Sequence, residues 1–204
     1  MPDLNKALGD LTSIRRQLAR STEFRGYGPA TLSATGVLAI LAAWVQTLCL
    51  LDPENHLGRY LAIWIWTAII SAVLIGVQMH ARTRRIHSGL ADEMIRMAVE
   101  QFLPSMIAGG LLTFVLVRSA PGNSWMLPGL WQVIFSIGVF SSCRFLPRQM
   151  LAAGAWYLFT GLFCLALGDS RALSPWAMGI PYAVGQFIVA GVLLLRSKEA
   201  IDET

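Results

Sequence analysis

The sequence predicts an all-α membrane protein: a bundle of six transmembrane helices preceded by a cytoplasmic amphipathic helix. Three observations predict it. Hydrophobic residues make up 55% of the 204-residue chain and charged residues only 14%, against roughly 25% charged in an ordinary soluble domain. Six apolar runs contain no Asp, Glu, Lys, Arg or His. Lysine and arginine alternate between the segments joining those runs, thirteen on one side and three on the other.

Before the first span, residues 1–28 are too polar for the apolar region of a secretory signal. Leu4, Ala7, Leu11, Ile14 and Leu18 recur at helical spacing, and Arg15 and Arg16 lie off that stripe. The pattern is that of an amphipathic helix. It suits a helix lying on the inner leaflet with its arginines near anionic headgroups. It also suits docking of a cytoplasmic protein partner or a short coiled-coil dimer.

The spans are expected at 29–51, 60–79, 102–117, 125–143, 149–168 and 174–195. About 20 apolar residues cross a hydrocarbon core as a helix. Helices apolar all round are membrane spans or the centre of a large core, and a chain this short cannot bury six of them in water. Span two carries Ala68, Ala72 and Gly76 at four-residue spacing, which allows close packing within the monomer or in a homo-oligomer. Between spans two and three, residues 80–101 form a basic connector whose later part is helical. Ser88 starts that helix, and it runs into span three past Pro104, which removes a backbone bond there.

Span six contains the densest unusual cluster, Gly179, Pro181, Tyr182, Gly185 and Gln186. Pro181 cannot donate to the carbonyl of Ala177. Interrupted spans with freed carbonyls bind solutes in many transporters. A proline kink packed on its neighbours accounts for the same residues. Residues 196–204 form a short tail.

The basic residues orient the bundle, because cytoplasmic segments carry the excess of Lys and Arg. Both ends and the 80–101 connector are therefore expected on the cytoplasmic side of a plasma membrane, the inner membrane in a bacterium. This asymmetry accounts for the net charge of +4 without any nucleic-acid partner. Trp44, Trp64, Trp66, Trp125, Trp131 and Trp176 then fall in the outer half. They form an outer aromatic belt or line a pocket opening outward.

Chemistry at membrane depth needs ionisable or nucleophilic groups, and these spans hold no carboxylate, lysine or histidine. No catalytic residue, metal site or cofactor is expected. Cys49, Cys143 and Cys164 form no C-x-x-C pair and read as small hydrophobes. His80 and His87 share a helix face but sit roughly 10 Å apart along the axis, too far to chelate one metal. With Glu100 they are candidates for a pH switch and, as the last-ranked reading, for acid–base groups of a lipid-modifying enzyme.

The neutral polar groups at depth include Gln46, Gln132 and Gln186, which most simply bond across helices. The function expected is a non-enzymatic sensor, anchor or regulatory module. The rival is a small transporter or channel for a neutral or apolar solute, bound by Gln132, Gln186, Tyr182 and Pro181.

Overall fold

The computed structural model describes residues 28–83, 89–143 and 148–202. These are helical throughout apart from the turns, and no strand occurs among them. The helices are α1 (Pro29–Cys49), α2 (Leu57–Thr83), α3 (Gly89–Ser119), α4 (Leu127–Ser142), α5 (Leu151–Ala166) and α6 (Pro175–Asp202). The expected amphipathic helix at Leu4, Leu11, Ile14, Leu18, Arg15 and Arg16 lies outside the described residues.

Among the described residues, five helices are long and apolar enough to cross a membrane: α1, α2, α3, α4 with its preceding turn, and α6. The run at 149–168 differs. Its helix, α5, has only 16 residues. The cause is local at both ends. A 3-10 turn, Arg148–Met150, precedes the helix, and Gly168, in the left-handed region at φ 70°, follows it. Glycine adopts that conformation without a Cβ clash, which makes it a helix terminator. Asp169 then fixes the next turn, its carboxylate accepting from the backbone N–H of Arg171.

Prolines open three helices. Pro29 and Pro175 are the first residues of α1 and α6, and Pro128 is the second of α4. The missing N–H costs nothing in a first turn, where it has no helical partner.

The helices stack in an order unlike that of the sequence. α1 packs most extensively on α6 and α4 on α5, while α3 leans on α4 and α2 on α1. α5 also packs against α6, and near the turn end Tyr60 of α2 reaches Trp131 of α4. The two helices joined by residues 84–88 do not pack extensively on each other. Each has one main packing partner, and Val73, Val77, Met106, Leu111 and Phe114 face outward, an apolar surface suited to lipid.

Two ends can be distinguished. The turn end carries residues 50–56, 120–126 and 167–174. At the other, basic end, Gly28 N–H donates to Gln78 Oε1 at 3.2 Å, tying the start of α1 to the end of α2. Three helices continue past their apolar segments here: α2 beyond Gln78, α3 before Val99 and α6 beyond Leu195. His80 stands in the last turns of α2, and α3 begins at Gly89.

Candidate functional site

The polar groups buried between the helices are the candidate site, and the two fully buried glutamines among them, Gln46 and Gln132, bind other helices. Gln46 is fully buried near the end of α1. Its Nε2 donates to the Leu173 carbonyl at 2.8 Å, and its Oε1 accepts from Trp64 Nε1 at 2.8 Å. One amide therefore joins α1, α2 and the turn before α6, with both its polar ends satisfied.

Gln132, one and a half turns into α4, is also fully buried. Its Nε2 donates to the Ala177 carbonyl at 3.0 Å. That is the carbonyl for which Pro181 has no N–H to offer. The interruption of α6 is thus answered by a side chain from α4. A turn further on, Trp156 Nε1 from α5 donates to the Pro181 carbonyl at 2.9 Å. Tyr157, from the same helix, approaches the Tyr182 carbonyl with its hydroxyl at 3.4 Å.

Small residues make this approach possible. A Cβ at Gly185 would collide with the Tyr157 ring and hydroxyl. One at Gly179 would come within 2.6 Å of the Ala43 Cβ. The glycines flanking Pro181 therefore seat α6 tightly between α1 and α5. Phe135 lies edge-on to Tyr157 and Tyr182, with ring centroids 4.8 and 5.6 Å away. The aromatic rings fill the space beside Pro181.

Of the four residues expected to bind a solute, the structure brings Pro181, Tyr182 and Gln132 to one stretch of α6. Gln186 lies further toward the basic end, its Oε1 buried and without a partner. The Gln132 Oε1 and the Tyr60 hydroxyl share that condition.

The tryptophans divide. Trp44, Trp66 and Trp176 are exposed, as in an interfacial belt. Trp64 and Trp131 turn inward, each donating to a side-chain oxygen 18 residues earlier: Gln46 Oε1 and Thr113 Oγ1, the latter at 2.7 Å.

The remaining candidates lie apart from this region. Glu100 is exposed and pairs with Arg96 at 3.0 Å, one turn back, an arrangement worth little in water. His80 is exposed and borders a shallow surface groove with Gly76, Val77 and Ala81. His87 lies outside the described residues. Ala68, Ala72 and Gly76 are exposed, and a Cβ added to Gly76 would meet nothing within 4 Å. The expectation that they pack within the monomer is overturned, because the face they occupy points away from α1.

Sequence reasoning passed over Tyr60, Tyr157 and Phe135. Tyr60 and Tyr157 are almost wholly buried, and a tyrosine in an apolar run is a signal for a buried hydroxyl that needs a partner. No family model matches this chain, and neither a curated protein nor a solved structure is similar to it.

Proposed function

We propose that the chain is a six-span integral membrane protein that serves as a non-enzymatic module, meeting a cytoplasmic partner at its basic end. One observation carries this reading. Three helices run on past their apolar segments at the same end, α3 by the ten residues 89–98, about 15 Å of helix. Such extensions form a surface clear of the membrane. The fate of the deep polar groups supports the same reading: Gln46 and the Gln132 amide nitrogen brace helices against each other.

α5 is counted as a span on length. Arg148–Met150 and Leu151–Ala166 together rise about 30 Å, enough for a hydrocarbon core. The positive-inside rule places both ends in the cytoplasm of a plasma membrane. The segment 1–28 is the proposed partner-binding or membrane-surface element. Ala68, Ala72 and Gly76 on the outer face of α2 suit a second copy.

In vivo photocrosslinking tests the reading. A probe replacing Arg96 should capture one defined cytoplasmic protein, and deletion of residues 1–22 should weaken that capture. A probe replacing Asn123 should not capture it. Equal capture from both positions, or none from either, contradicts the proposal.

A second reading, a conduit for a neutral solute, draws on the unpartnered Oε1 atoms of Gln132 and Gln186. It requires that Gln186→Leu or Pro181→Ala change solute flux in proteoliposomes. Flux equal to that of empty vesicles for the intact protein removes it.

A further inference from the structure

Two buried polar atoms near the turn end lack any partner within the protein. The Tyr60 hydroxyl and the Gln132 Oε1 are both shielded from solvent and unbonded. Leaving such groups dry forfeits the hydrogen bonds that water would have made.

Their surroundings coincide. Trp131, adjacent to Gln132 in sequence, stacks on the Tyr60 ring with centroids 6.4 Å apart. Met178 lies in the same buried cluster as Tyr60, and its sulfur is 3.9 Å from Gln132 Nε2. Tyr182 packs against the same cluster. Gly161, one turn before Cys164, brings α5 so close that an added Cβ would stand 3.0 Å from the Gln132 Cβ.

The chemistry of the two atoms is complementary. A tyrosine hydroxyl donates and accepts, whereas an amide carbonyl only accepts. With its amide nitrogen donating to the Ala177 carbonyl and the Met178 sulfur, Gln132 offers an acceptor alone. A ligand between them needs at least one donor for Gln132 and one acceptor for Tyr60. Arg59 precedes Tyr60 in α2 but is exposed, and among the described residues no Asp, Glu, Lys or Arg is buried beside the pair, so a charged ligand would lack a buried counter-ion. The pair is also near the surface of the bundle. Tyr60 is three residues into α2 and Gln132 five into α4, about 5–8 Å of helix rise from the turns.

We propose that Tyr60 and Gln132 hold between them one small neutral molecule that both donates and accepts hydrogen bonds. Water, a simple alcohol and a primary amide share this chemistry. This inference is independent of the proposed cytoplasmic partner and survives its failure.

The test compares the full chain with its Tyr60→Phe variant in lipid nanodiscs, by thermal unfolding. Phenylalanine removes only the hydroxyl. With an occupant bridging the pair, the variant loses a hydrogen bond, and its melting temperature falls by about 2–4 °C. With nothing there, the variant sheds an unsatisfied group, and its melting temperature is unchanged or raised, which overturns the proposal. Acetamide and methanol, each added to wild type and variant, separate the sources. A rise in melting temperature confined to wild type identifies an exchangeable solute. The Tyr60→Phe loss without any solute effect identifies resident water, and either result upholds the site. A solvent-resolving structure supplies the second measurement: density bridging Tyr60 Oη and Gln132 Oε1 supports the proposal, and direct protein packing at both atoms overturns it.

Discussion

Gln132 donates its side-chain amide to the Ala177 carbonyl at 3.0 Å, the position that Pro181 leaves without a helical donor. A break in one helix is thereby mended by a neighbour. A carbonyl buried between apolar helices and left unbonded is costly, and here a side chain of the protein satisfies it. The same logic governs Gln46, whose amide answers both an indole N–H and a turn carbonyl.

Gln46→Leu removes two bonds at once. It leaves the Trp64 N–H and the Leu173 carbonyl without their present partner, at a cost of about 1–3 kcal/mol. Trp64→Phe leaves the Gln46–Leu173 bond intact and should cost less. Unfolding of both variants in bicelles checks the ranking; equal losses would mean that the Leu173 bond contributes nothing.

Glycine substitutions should separate by position. Gly185→Ala drives a methyl into Tyr157, and overpacking of this kind costs roughly 1–3 kcal/mol. Gly76→Ala and Gly191→Ala meet no atom within 4 Å. Each should be neutral or gain up to about 1 kcal/mol from the better helix propensity of alanine. Thermal melts of the three variants decide it, and a Gly185→Ala protein as stable as wild type would refute the close approach.

A small pH dependence is expected at the turn before α6. The Arg171 side chain, donating to Asp169 at 2.8 Å, holds that carboxyl below its ordinary value, with help from the Arg171 backbone N–H. A lowered folded-state value means that this contribution is complete above the usual carboxylate range. It is lost as pH falls through the folded value. Asp169→Asn should therefore flatten the acid limb of stability while changing little near pH 7. An unaltered acid limb would show that the pair has no energetic consequence.

Topology can be read by labelling. Single cysteines at Asn55, Asn123 and Ser170, in a background with Cys49, Cys143 and Cys164 replaced, should react with an impermeant maleimide from outside intact cells. A cysteine at Arg96 should react only after the cells are opened. Any other alternation would displace α5 as a span.

How much of this was legible beforehand depended on distance along the chain. The apolar runs and the prolines at 29, 128 and 175 are local signals, and each marks a helix. The vacancy at Ala177 was equally local, since it follows from Pro181 four residues on. The group that fills it was not legible. Gln132 lies 45 residues away, and helical periodicity does not say which helices are neighbours. Leu173, the acceptor for Gln46, is 127 residues away. For α2 and α3, sequence adjacency misleads, because they do not pack extensively on each other. The stripe at Ala68, Ala72 and Gly76 misleads for a related reason: small residues permit close packing but do not supply a partner.

The most direct measurement is a double-mutant cycle between Gln132 and Pro181. Gln132→Leu alone should destabilise the bundle by about 1 kcal/mol, the scale of interhelical hydrogen bonds in membranes. In a Pro181→Ala background, the backbone N–H restored by that substitution can donate to the Ala177 carbonyl, and Gln132→Leu should cost much less. An equal cost in both backgrounds would contradict the claim that Gln132 exists to mend the break at Pro181.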